Sequence, residues 1–225
     1  MTRSLGTDPP DIRAERRLRA PRMRRGREEV ARRRFRRLKK ELGLEGPEEA
    51  PSAAGPAHRV DIVVVPARKG YLHPLKPADI KRAFEFFGPL VLYGIRSVEM
   101  RPSVRLSGQI VRIARLQVPG RVVLYEQVQP PWTLSDLSDG SIDRLKRAGA
   151  SVEEEFGTAR VYWTSEALRD FVLFEGLMHE IGHHLIEQHT GKRTVRVMRT
   201  ADHEHRAAAF VDMCRRAWTN AKRRP

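Results

Sequence analysis

The stretch that decides the reading is Phe174 to Gly191, FEGLMHEIGHHLIEQHTG, in which His179 and His183 stand four residues apart and Glu180 follows the first directly. Leu173, Leu177, Ile181 and Leu185 recur every four residues through it, the spacing of one buried stripe on an α-helix. The pattern predicts a helix from Ser165 to Gly191, with Gly191 as its C-cap. At about 100° and 1.5 Å per residue, the two histidines lie about 40° apart around the axis and about 6 Å apart along it. Both imidazoles then point at one ion. Glu180 is turned by about 100° from His179, which places it poorly as a ligand and well for reaching a water on the metal. Two neutral imidazoles holding Zn2+, with a carboxylate to take the proton of an activated water, is the chemistry that HExxH serves. In a chain with 8 His the pattern arises by chance with odds of roughly 2%.

A catalytic zinc takes three protein ligands and keeps a fourth position for water. His189 stands where a third histidine falls in HExxHxxGxxH, but Ile186 occupies the place of the glycine that turns the chain. On a continuing helix His189 is roughly 9 Å beyond His183. Glu204 is the stronger candidate. It lies in TADHEHRAAAFVDMCRRAW, Thr200 to Trp218, which reads as a second helix with Asp202 as N-cap and an apolar face of Ala207, Ala208, Phe210, Val211 and Cys214. Packed on the first helix, that face brings Glu204 to the ion. His203 and His205 flank it as rival ligands or as groups that steady an oxyanion. Glu175 and Glu187, one turn before His179 and one turn after His183, are candidate acceptors of an imidazole proton.

Taken together, HEIGHH at 179–184 followed by EHRAAAFV at 204–211 resembles the ImmA/IrrE group of zinc metalloproteases, whose second helix has the pattern E-x-x-A-N-x-F-A. Glu204, Ala207 and Phe210 match that pattern, whereas Ala208 replaces its asparagine and Val211 its last alanine. The resemblance runs from His179 to Cys214. It implies a minimal gluzincin fold with a small twisted sheet over the active-site helix, His179, His183 and Glu204 as ligands, and Glu180 as general base. It also implies substrates among DNA-binding repressors.

The rest of the chain frames this motif. Lys+Arg number 43 against 28 Asp+Glu, a net charge of +15 that attracts phosphate backbones and acidic surfaces. Residues 1–57 form a basic tail and linker: 1–56 carry 16 Lys or Arg against 9 Asp or Glu and few large apolar residues, a composition that cannot bury a core. Within the tail, Ala31, Phe35, Leu38 and Leu42 form a narrow stripe among arginines, so a basic helix there is a candidate contact for nucleic acid. Gly46 to Ala57 reads as the linker.

Residues 58–220 read as one α+β, zincin-like domain, mainly β over 58–132 and mainly α over 133–220. VDIVVVP from Val60 reads as a buried strand, KPADIKRAFEFFG as a helix with Ile80, Phe84 and Phe87 inward, and LVLYGIRSVEM and QIVRIARLQ as strands. Pro119 and Gly120 suit a type II turn closing a hairpin into VVLYEQV, and SIDRLKRAGA and ARVYWT read as a helix and a short strand. VVLY or RVYW is expected to offer a free edge to an extended peptide. One cysteine, Cys214, rules out an internal disulfide, and the absence of a long apolar run predicts a cytoplasmic protein with no membrane span. The expected function is zinc-dependent hydrolysis of protein or peptide substrates. The alternative is a nucleic-acid-binding protein with a structural zinc site.

Overall fold

The structure, a computed structural model, describes residues 59–103, 112–189 and 200–222. The basic tail with its apolar stripe, the linker and the Gly191 cap lie outside the described residues. In chain order come β1 (Asp61–Val64), β2 (Tyr71–Leu72), α1 (Pro77–Phe87), α2 (Pro89–Leu92), β3 (Ser97–Arg101), β4 (Ala114–Gln117), β5 (Arg121–Tyr125), β6 (Gln127–Val128) and β7 (Trp132–Ser135). Then follow α3 (Asp139–Arg147), β8 (Ser151–Glu155), β9 (Thr158–Tyr162), α4 (Ser165–Phe171), a π-helical segment (Val172–Met178), α5 (His179–His189) and α6 (Ala201–Lys222). The architecture is α+β.

The main sheet has the order β1-β3-β5-β4, with β1, β3 and β5 parallel and β4 antiparallel to β5. Alternation along these strands sends Val98, Met100, Leu116, Val122 and Leu124 to one face, where they share a core with Leu173, Leu177, Ile181 and Leu185. Burial of each such leucine contributes about 2 kcal/mol. The opposite face carries Glu99, bridged by Arg101 and Arg121. A second, antiparallel sheet has the order β7-β9-β8, and β2 pairs with β6. Phe86, Phe87 and Trp218 cluster edge-on and stacked, joining α1 to the end of α6.

Several sequence expectations change. β1 is an edge strand and exposes Val63 and Val64, because it pairs with β3 alone. The run from Leu90 is not one strand: Pro89 opens the short α2, Gly94 turns the chain at φ +71°, and extended structure begins at Ser97. SVEEE, Ser151 to Glu155, forms β8, which its acidic composition concealed; cross-strand pairing with β9 supplies what propensity does not. The hairpin between β4 and β5 is present, but its loop has three residues, 118–120, and a cis Val118–Pro119 bond in place of a type II turn. The helical run from Ser165 continues to His189 but is π-helical over Val172–Met178. VVLY and RVYW lie mainly in β5 and β9, the inner strands of their sheets, so neither is a free edge.

One buried carboxylate ties the ends of the main sheet together. Glu126 accepts hydrogen bonds from the Arg68 backbone N–H (2.8 Å), from Arg68 Nε, and from the Ser103 N–H (3.4 Å), and Arg68 Nη2 donates to the Ser103 carbonyl (3.0 Å). Burial raises the Glu126 pKa, but the Arg68 and Ser103 hydrogen bonds outweigh it and hold the carboxyl below the usual glutamate value. A depressed carboxylate pKa means that the unfolded chain binds the proton more readily. The stabilisation is therefore complete above the unfolded value of about 4.3 and is lost as pH falls through the folded one. Glu126→Gln should flatten the acid limb of a stability-against-pH curve below about pH 4.3, whereas Glu126→Ala, which leaves the Arg68 and Ser103 N–H groups without their acceptor, should cost about 1–2 kcal/mol at neutral pH, both read by urea unfolding.

Candidate metal centre

α5 begins at His179, directly after the π-helical segment, and the His179 N–H bonds back to the carbonyls of Gly176 and Phe174. π-helical turns inside helices recur at functional sites, because the added residue shifts the phase of the side chains that follow. Leu177, Ile181 and Leu185 then face the sheet, and His183 is fully buried.

Three donors converge beside this stripe. His179 Nε2 and His183 Nε2 are 3.0 Å apart, His179 Nε2 is 3.2 Å from Glu204 Oε2, and His183 Nε2 is 3.4 Å from Glu204 Oε1. These are the ligand atoms of a group able to hold a metal ion. Tetrahedral ligands about 2.0–2.1 Å from an ion of zinc's size stand about 3.3 Å from one another, close to these separations, with the two histidines facing different oxygens of Glu204. The Glu204 side chain is 44% exposed and that of His179 17%, so the cluster opens on that side.

The close approach that brings Glu204 in is set at Gly182. A Cβ there would stand 3.0 Å from Phe210 Cδ1 and 3.4 Å from the Ala207 backbone. α6 can therefore lie directly on α5, burying Ala207, Phe210, Val211 and Cys214; Ala208, assigned to that face from sequence, is exposed. The cap of α6 lies two residues before the expected one: Thr200 Oγ1 accepts from the His203 N–H (3.3 Å) and the Thr200 carbonyl from the Glu204 N–H (3.0 Å), so Thr200 and not Asp202 caps it.

Glu180 is buried, outside the donor group, and its Oε2 accepts from the Leu116 N–H of β4 at 2.9 Å. The remaining sequence candidates separate. His203 packs its ring on His183, centroids 4.8 Å apart, and does not join the donor group. His205 is exposed. His189 ends α5 with no chain reversal before it, so the helix carries it away from His183. Glu175 accepts from Arg144 Nε (2.8 Å) and Arg215 Nη2 (2.7 Å), joining α3 and α6 through ion pairs. Cys214 is buried, which pushes its thiol pKa up and leaves it inert.

His184 has a role the sequence reading missed. It is buried, with Nε2 3.1 Å from the Tyr93 carbonyl, fastening α5 to the turn after α2. Burial pulls its pKa down against the opposing effect of that carbonyl, so it is a neutral donor. Only its spacing from the apolar stripe hinted at burial.

The chain matches no family model, no curated protein and no solved structure. The donor geometry yields two expectations. Metal analysis of protein purified without chelator should find about one divalent metal ion per chain in the wild type and a marked loss in Glu204→Ala. Gly182→Val should force α6 from α5, costing about 1–3 kcal/mol in unfolding and weakening metal binding, whereas Ala208→Val on the exposed face should leave metal binding unchanged.

Proposed function

We propose that the chain is a zinc-dependent peptidase in which His179, His183 and Glu204 hold the ion and Glu180 is the general base. The observation that carries the reading is the convergence of two imidazole nitrogens and one carboxylate at ligand spacing, with a buried carboxylate beside them and outside the set. Bound zinc supplies Lewis acidity toward a peptide carbonyl and toward the attacking water.

The protein's own groups do the rest. Glu180 accepts the proton of the attacking water as the C–O bond forms and passes it to the amide nitrogen as the C–N bond breaks. Its carboxylate suits this work because it is shielded from solvent and held at one oxygen by the Leu116 N–H. β4 is an edge strand of the main sheet and packs beside α5; its Leu116 N–H is taken by Glu180, so an extended peptide would pair with the remaining edge groups of the strand, such as the Ala114 N–H. This favours peptides over small amides. A glutamate ligand on the helix after HExxH is also what the resemblance to the ImmA/IrrE group implies, and a zincin-like fold belongs to the same proposal.

A closed structural zinc site would need four protein ligands. Three donors converge among the described residues, and the partly exposed Glu204 side chain favours catalysis over the nucleic-acid-binding alternative. The deciding experiment uses a mixed peptide library with cleavage read by mass spectrometry. Glu180→Gln should keep its zinc and cleave about 10²–10⁴-fold more slowly than the wild type, and a chelator should abolish wild-type cleavage until zinc is returned. Equal cleavage by the variant would sink the reading.

A further inference from the structure

Glu180 follows a metal ligand in sequence; the helix turns it about 100° from His179 and it lies outside the donor group, but its side chain is long and flexible enough to swing toward the ion. A buried carboxylate whose side chain can swing to a divalent cation is strongly drawn to it. If Glu180 bound, it would fill the position that water needs and would cease to be a base. Something must hold it off.

The register of β4 identifies what does. The Tyr125 N–H donates to the Ile113 carbonyl at 2.9 Å, so these two residues form a hydrogen-bonded pair just before the strand. Hydrogen-bonded and non-hydrogen-bonded pairs alternate along an antiparallel ladder. Arg115 opposite Val123 is then hydrogen-bonded, and Leu116 opposite Val122 is not. The Leu116 N–H therefore points away from β5, off the free edge of the sheet, and there it meets Glu180 Oε2 at 2.9 Å. Two features fix this meeting. The Leu116 side chain is anchored in the core, and Gly176 lets β4 lie against the helical run, since a Cβ there would stand 2.8 Å from Ile113 Cγ2.

We infer that the backbone amide of Leu116 is a positioning group that keeps the Glu180 carboxylate out of the metal's ligand set and so keeps one coordination position open. The inference rests on the zinc reading above. An N–H bond to an ionised carboxylate is among the stronger hydrogen bonds, and groups around metal ligands commonly change affinity about 10–100-fold when removed.

The full chain loaded with Co2+ tests this without a substrate. Acetohydroxamate, which needs an open position, is titrated while the visible absorption of the ion is followed. The wild type should respond. Leu116→Pro removes the N–H and, because that group faces the free edge, spares the ladder to β5. In this variant Glu180 should close the site, so that Co2+ binds more tightly and acetohydroxamate more weakly, each by about tenfold or more. Leu116→Pro with Glu180→Gln should recover the wild-type response, since a neutral amide is a poorer ligand. Ala114→Pro, whose N–H faces the same edge, should behave as the wild type.

An unchanged acetohydroxamate response in Leu116→Pro overturns the inference and leaves the zinc reading standing. Failure of the wild type to bind Co2+ overturns both. Should Leu116→Pro fail to fold by circular dichroism, the backbone ester at position 116, which keeps the side chain and deletes the N–H, gives the same two arms.

Discussion

Everything at the candidate site depends on how closely two helices approach at one residue. Gly182 presents no side chain to α6, and Phe210 and Ala207 fill that space. Without this contact Glu204 could not reach within 3.4 Å of His183, and two histidines on one helix would remain a pair without a third ligand. A glycine in the middle of a helix costs about 0.5–1 kcal/mol relative to alanine, so its place is explained by the packing it permits.

α5 is thus enclosed on two sides with opposite demands. The sheet side is apolar, with Leu177, Ile181 and Leu185 in a core shared with β3, β4 and β5. The α6 side mixes small and aromatic residues with polar ones, and there the ligands assemble. Between these sides, Glu180 and His184 are buried polar groups bonded to main-chain atoms of Leu116 and Tyr93. Each satisfies a group that would be costly to leave unpaired in the interior, and each fixes the rotation of the helix about its axis. The ion pairs of Glu175 with Arg144 and Arg215 add a third restraint just upstream. The helix is held by polar contacts at points spread along its length.

Much of this was legible in the sequence because it follows from local periodicity. The four-residue recurrence of leucine and isoleucine marks the buried stripe, and the same spacing aligns His179 with His183. Glu204 was legible for a related reason: it stands in the first turn of a segment with its own apolar face, and such faces pack together. The edge strand beside the site was not legible. VVLY and RVYW look more like strands to expose or pair than ARLQ does, yet strand order depends on long-range pairing, and β4 takes the edge. β8 was hidden by its glutamates and the exposure of β1 by its valines, since both depend on which neighbours a strand acquires.

By itself, then, the sequence determined the α+β class, the helix that carries the motif, and the pairing of His179 with His183, because helical spacing converts directly into direction; it favoured Glu204 among several third donors, and the packing of α6 on α5 brings Glu204 to that pair. Only the tertiary structure decided the phase change before His179, the cap at Thr200, the packing of His203 on His183, and the bond that holds Glu180 to β4. Those features join residues 64 positions apart in the case of Leu116 and Glu180, and no local pattern encodes such a meeting. It arises from close packing and from the need of buried polar groups for partners, which act on the folded chain as a whole.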